Sequence, residues 1–272
     1  MGDQVIAPVT PNGRKRRQVA IRSTIGSPLA PDGAAVDRLL RHYAAATVAA
    51  PPAADAAWYD AAHATAAALC TFAPTHLPTT DHAAALIAAL SPQTSWPANV
   101  ELAYHAAELA QDGEPISDRL PHYEDCTKKA AAVLEHGEAL SRSPIGSVPL
   151  QHCSAVLGGR KVRSFYANIA RPLSPGPVTI DRHAIALAIS SDPTYRPSGN
   201  YLAKHLERIG AYQHVAACYR AAAAAAPPLQ PSTGGRAAGA THRPLPHQFQ
   251  AVLWCYRRRL LDNLAPSDHD LF

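Results

Sequence analysis

Aromatic side chains are scarce: four Phe, three Trp and ten Tyr make up 6% of 272 residues. A β-sandwich or barrel fills its core with aromatic and β-branched residues, so this composition argues against either. Cysteine is thin and scattered, at Cys70, Cys126, Cys153, Cys218 and Cys255. No two of them lie at a metal-ligand spacing, which sets aside a zinc knuckle, an iron–sulfur cluster and a disulfide framework and leaves free, buried thiols as the expectation. No apolar run reaches the roughly 18 residues of a membrane span, and the opening Met1-Gly2-Asp3-Gln4-Val5-Ile6 lacks a charged-then-apolar secretory pattern. A glycine-rich nucleotide loop, a His-Glu-x-x-His pair and an internal repeat are all missing. The expectation is a cytoplasmic monomer with no metal, no cofactor and no membrane partner. What is abundant is alanine, 56 residues. Alanine is the best helix former but fills little core volume, which points to an all-α fold of closely packed helices. Charged residues are 17% and the net charge is +4, too balanced for a disordered chain.

Residues 1–33 carry Pro8, Pro11, Pro28 and Pro31 without a helical period and read as a basic arm. Arg14, Lys15, Arg16, Arg17 and Arg22 fall there with no acid between them. Such a cluster is either a footprint for phosphate or a solvated tail. Helices are expected over Asp37–Ala50, Ala54–Phe72, Ala83–Leu90 (with Asp81 as cap), Pro97–Gln111 and Lys128 to about His136, the last ending near Gly137. Leu150–Ile169 reads as helix, Gly-Gly turn, helix. Asp181–Ser190, Asn200–Ala226 and Pro246–Leu264 complete the series, with a low-complexity connection over 221–241.

Two stretches carry chemistry. In Leu157-Gly158-Gly159-Arg160-Lys161-Val162-Arg163, a glycine turn delivers backbone N–H groups at the start of a basic helix, a phosphate-binding geometry. In Val178-Thr179-Ile180-Asp181-Arg182-His183, a short β-like approach ends in an Asp at a helix N-terminus, where an Asp is ordinarily a cap.

Together these resemble the HhH-GPD superfamily of DNA glycosylases, whose members carry a Leu-Pro-Gly-Val-Gly-x-Lys hairpin followed by Val-Asp-x-His. Lys161 and Asp181 are 20 positions apart, and Leu86-Ile87-Ala88-Ala89-Leu90-Ser91-Pro92-Gln93 is similar to the family's helix ending in Leu-Ser-x-Gln. The hairpin here is two residues shorter, with Gly-Gly in place of Gly-x-Gly. The patterns Ser-Pro-Gln-x-x-Trp-x-x-Asn, Ile-Asp-Arg-His-Ala and a late Gln-Ala-x-x-Trp resemble a divergent branch of that superfamily acting on modified bases. The branch includes phage base pyrophosphorylases and amino-acid:DNA transferases, and antiviral glycosylases that excise glucosylated hydroxymethylcytosine. The resemblance implies a two-lobed helical fold with the site in the cleft: 34–79 with 173–272 as one lobe, 80–172 as the central lobe.

By the same resemblance Asp181 would stabilise an oxocarbenium-like sugar or activate water. Lys161 would be either an amine nucleophile forming a Schiff base or a phosphate contact. Gly158, Gly159, Arg160 and Arg163, with Arg14, Lys15, Arg16 and Arg17, would bind the backbone of double-stranded DNA, and Gln93 the gap left by a flipped nucleotide. Asn99, His183 and Trp96 would line or orient the base pocket. Helix-end polarity accounts equally for Gln93 and Asn99, and a structural role equally for His183, while core packing is the better account of Trp96 and Trp58. The leading expectation is a monofunctional glycosylase that leaves abasic sites in phage DNA. The alternatives are a transferase or pyrophosphorylase that elaborates the base, and a non-catalytic DNA-binding module.

Overall fold

The computed structural model describes residues 30–141, 153, 155–199, 201–202, 210–229 and 242–264. The described part is all-α. Its helices are α1 (Gly33–Ala49), α2 (Pro52–Ala56), α3 (Trp58–Phe72), α4 (Thr80–Ala89), α5 (Trp96–Gln111), α6 (Ile116–Arg119), α7 (Glu124–Ser141), α8 (Arg160–Ala170), α9 (Arg182–Ile189), α10 (Ala211–Ala225) and α11 (Pro246–Asn263). The one β-type pairing among the described residues is an isolated bridge between Leu229 and His242.

The starts follow local capping chemistry. Asp32, Thr79, Ser95 and Asp181 each accept a backbone N–H of the first turn of α1, α4, α5 and α9, satisfying donors that a helix start leaves orphaned. Pro51, with Pro52 at the first position of α2, separates α1 from α2, and a non-helical Ala57 divides the expected Ala54–Phe72 helix into α2 and α3.

Apolar burial falls into two clusters. One gathers α3, α4, α5, α6, α7 and α8 around Leu69, Leu86, Ile87, Leu90, Leu134, Leu157 and Ile169. Its axis is α4, buried on every face from His82 to Ala89, and Ala83, Ala84, Ala85, Ala88 and Ala89 let α3, α7 and α8 approach closely. The other gathers α1, α9, α10 and α11 around Leu39, Tyr43, Tyr219, Phe249 and Leu253, with Tyr43 stacked on Phe249 at 4.7 Å. α11 also packs on α3, and Arg259 makes two hydrogen bonds to Asp55 of α2 (2.9 and 2.6 Å).

Three local expectations are corrected. Thr79, not Asp81, caps α4; the Asp81 carboxylate accepts from Tyr166 (3.0 Å) and Arg171 (3.4 Å) of the α8 region instead. α7 begins at Glu124 and runs through Gly137 to Ser141. Gly137 serves close approach rather than termination: a Cβ there would lie 1.9 Å from the His76 carbonyl oxygen. The last helix of the 200–226 stretch to be described starts at Ala211, after Gly210 at φ +102°. The basic arm up to residue 29, including Arg14, Lys15, Arg16 and Arg17, lies outside the described residues, as do 142–152 and 230–241.

Candidate functional site

Residues 175–181 form neither helix nor strand, yet they bury Val178, Thr179 and Ile180. A buried extended segment must still pair its backbone polar groups, and here side chains do so. Tyr212 of α10 accepts from Ile180 N–H (3.1 Å) and donates to the Val178 carbonyl (2.9 Å). A phenol has a single proton, so the Ser164 hydroxyl, 3.0 Å away on α8, donates to Tyr212 in turn. Thr179 Oγ1 lies 3.1 Å from the Tyr59 hydroxyl and accepts from Asn168 Nδ2 at 3.0 Å. Tyr59 also reaches Gln250 Oε1 at 3.2 Å, and burial pushes its phenol pKa well up. Side chains from α3, α8, α10 and α11 thus hold the approach to α9 where a sheet would otherwise do so.

Asp181 ends that approach. Its Oδ1 accepts from Ala184 N–H at 2.8 Å, and its second carboxylate oxygen makes no hydrogen bond with another described residue. Two positions on, His183 is buried at 8% exposure. Its Nδ1 faces Arg257 Nε at 3.1 Å, and Arg182 Nε lies 3.4 Å from Nε2. Burial pulls its pKa down to about 4; the Asp181 carboxylate opposes this, while Arg182, Arg257 and Arg258 reinforce it. His183 is therefore a neutral imidazole at physiological pH.

The edge of His183 meets Trp254 of α11, ring centres 6.3 Å apart. Trp254 in turn belongs to an aromatic cluster centred on Trp58, which lies 5.8 Å from Trp254, 4.9 Å from Trp96 and 6.0 Å from Phe165. All three tryptophans of the chain meet here, from α3, α5 and α11, and all are half-buried. Asn99, one turn beyond Trp96, is 2% exposed, and its Oδ1 has no hydrogen-bond partner. A buried amide oxygen left unpaired costs on the order of 1–3 kcal/mol.

At the start of α8 the Gly158-Gly159 turn needs glycine, since Gly159 has φ +72° and no side chain caps the helix. Lys161 is half-buried and makes no hydrogen bond or ion pair with another described residue. It lies one turn before Phe165 on the same helix face, the face that carries Ser164, Phe165 and Asn168 toward the 178–181 segment and Trp58. Arg163 turns back on its own helix start, its Nε donating to Leu157 O at 2.8 Å. The Arg160 carbonyl lies 3.5 Å from the Tyr212 hydroxyl, whose proton goes to the nearer Val178 carbonyl. Lys129 of α7 approaches the turn closely enough that a Cβ on Gly158 would lie 2.8 Å from its Nζ.

Gln93 stands apart from this group. It has φ +60°, an uncommon conformation for a residue with a side chain, and accepts from Tyr123 at 2.6 Å. It opens onto a groove of about 780 Å³ walled by Thr94, Glu101, His105, His122 and Tyr123. A second cavity, about 220 Å³, lies between α1, α9 and α10 behind Ile180 and Tyr212. Neither is lined by Asp181, His183 or a tryptophan. Asp181 and His183 therefore adjoin the tryptophan cluster that includes Trp96; Lys161 shares a helix face with Phe165 of that cluster, and Gln93 borders a separate groove.

Trp254, Arg257 and Tyr212 escaped sequence reasoning as site residues. The Gln-Ala-x-x-Trp pattern signalled Trp254 as part of a resemblance, but nothing local marked Arg257 or Tyr212. Among the described residues no group of three or more His, Cys, Asp or Glu could hold a metal ion, and no helix is long and apolar enough to cross a membrane.

The fold and site define an all-α protein in which an Asp-capped helix meets a tryptophan cluster between two apolar cores. The chain belongs to the family of unknown function DUF7178, whose model matches residues 30–260. No curated protein and no solved structure matches it.

Proposed function

We propose that this protein is a DNA glycosylase of the HhH-GPD kind. It flips a modified nucleotide from double-stranded DNA and hydrolyses the bond between base and sugar. The observation that supports this reading best is the meeting of Asp181 and the tryptophan cluster at His183. A carboxylate with one oxygen committed to the cap and the other open can face the positive charge that develops on the sugar. Water adds to the anomeric carbon and gives a proton to Asp181, while the base leaves with the bonding pair and takes a proton from solvent, to which Asp181 then releases its own. Trp96, Asn99 and His183 line or orient the base. The turn Gly158–Gly159 with Arg160, Lys161 and Arg163 takes backbone phosphate, aided by Arg14, Lys15, Arg16 and Arg17. Gln93 fills the duplex gap. In this reading the two apolar cores are the two lobes that flank the cleft, with α3, expected in the lobe of 34–79 and 173–272, packed in the core of the central lobe instead.

The substrate proposed is phage DNA carrying a bulky base, glucosylated hydroxymethylcytosine, attacked in the cytoplasm by a monomer as antiviral defence. The test is to incubate the protein with T-even phage DNA and with the same DNA lacking glucose, then count abasic sites. Sites on the glucosylated DNA alone support the reading. Equal numbers on both overturn the substrate, and none on either overturns the activity. A base that stays on the sugar and gains mass would indicate a transferase. Asp181→Asn keeps the cap, since Asn and Asp cap equally well, and removes the charge. It should lower single-turnover cleavage by about 10²–10³-fold without loss of fold.

A further inference from the structure

We propose that Arg257 is a positioning residue: it holds the His183 imidazole in one tautomer, with the proton on Nε2, and so sets a neutral hydrogen-bond donor beside Asp181. The catalytic consequence rests on the glycosylase reading above; the tautomer does not.

Arg257 is one of the most buried charged residues described, at 2% exposure. Each of its three nitrogens is engaged: one terminal nitrogen donates to the Pro193 carbonyl, the other to the Tyr195 carbonyl at 2.7 Å, and Nε to His183 Nδ1 at 3.1 Å. The loop it grips is itself pinned, because Asp192 Oδ1 accepts from both the backbone and the hydroxyl of Thr194 (2.8 and 2.7 Å). The fork therefore cannot turn away without breaking its bonds to both loop carbonyls.

A guanidinium only donates, so the nitrogen it faces must carry a lone pair, and a neutral imidazole then bears its proton on the other nitrogen. Arg182 Nε also points at Nε2, but at 3.4 Å and from a less buried side chain. Where two donors meet, the longer contact yields. The charged groups around His183 are Asp181 and Arg182 at the start of its own helix, and Arg257 and Arg258 from α11. Those around Arg257 are Asp181, Arg196 and Asp192, with the Tyr219 phenol from α10. Three guanidinium groups against one carboxylate disfavour an imidazolium, in keeping with the lowered pKa of His183. The donor therefore keeps one protonation state across the range where an ordinary histidine titrates. It can serve an oxygen acceptor on the nucleotide without a change of charge.

The experiment is long-range ¹H–¹⁵N spectroscopy of imidazole-labelled full-length protein, with His183 assigned by the signal lost in His183→Gln. Wild type should show a neutral Nε2–H tautomer with no titration between pH 8 and 5. In Arg257→Lys, whose three donors sit on one nitrogen and cannot span acceptors now held by three separate nitrogens, both tautomers should appear. In Arg257→Gln the His183 pKa should rise by about one unit or more as a facing cation is removed. The single-turnover cleavage profile should be flat from pH 5 to 8 in wild type and gain an inflection in Arg257→Gln. An Nδ1–H tautomer in wild type overturns the proposal without any variant. So does a folded Arg257→Lys protein with unchanged tautomer and profile. If no cleavage is seen on any DNA while the tautomer is as stated, the glycosylase reading falls and the role of Arg257 stands.

Discussion

Taking one oxygen from Tyr212 tests whether the approach to α9 is held by side chains. In Tyr212→Phe the Ile180 N–H and the Val178 carbonyl both lose their partner, and the Ser164 hydroxyl must find another. Ile180 is fully buried and Val178 nearly so, so water cannot replace the phenol without opening the core. Each buried backbone group left unpaired costs roughly 1–3 kcal/mol. Removing the phenol also relieves its own desolvation, so the expected loss is about 2–4 kcal/mol. For a chain of this size each kcal/mol lowers Tm by roughly 2–4 °C, which puts the shift at about 5–15 °C. Tyr219→Phe is the matched control: Tyr219 is as buried, but its hydroxyl makes one bond, to the Ala184 carbonyl at 3.1 Å. That carbonyl lies within α9 and keeps its helical partner, so the control should lose about 1 kcal/mol or less. Urea titration and scanning calorimetry on the three proteins read both numbers. If Tyr212→Phe falls within about 0.5 kcal/mol of wild type, or matches Tyr219→Phe, the tyrosine is not what holds the segment.

Acid should destabilise the fold through its buried histidines. The folded-state pKa of His183 is lowered to about 4, so as pH falls below the ordinary value near 6.5 the unfolded chain takes up the proton first. The stability is whole above about pH 6.5 and is lost as pH falls toward 4, with about 2 kcal/mol gone at pH 5 from this residue. His42 and His247, also lowered by burial, act in the same direction. Urea titrations at pH 7 and pH 5 measure the difference, which His183→Gln should shrink; equal stability at the two pH values would refute it. Gly137→Ala should be severely destabilising, by about 3 kcal/mol or more, because α7 and the His76 backbone must separate to admit the methyl group; a near-normal Tm would show that the helix yields easily. Asp181→Ala should cost about 1 kcal/mol of stability where Asp181→Asn costs almost none; equal losses in thermal melts would mean that the carboxylate does more for the fold than cap α9.

Local chemistry is legible in the chain alone. Proline pairs, cap residues and alanine content are sufficient for an all-helical reading, because each acts within one helical turn. Asp181 can be placed at a helix start and Gly159 in a tight turn for the same reason. Where two local signals compete, tertiary contacts decide. Asp81 and Thr79 are both good caps, and Tyr166 and Arg171 draw Asp81 away. Gly137 looks like a helix stop, and the helix runs through it because only a residue without a Cβ lets His76 come so close. The site itself is almost wholly tertiary. Trp58, Trp96 and Trp254 have no shared period and come from three helices, so their meeting follows from how α3, α5 and α11 pack. Tyr212 reaches back to Val178 and Arg257 to His183 across 34 and 74 positions. Hydrogen bonds between such distant side chains leave no spacing in the sequence. They form only once two apolar cores have brought the groups within about 3 Å and excluded the water that would otherwise pair with them.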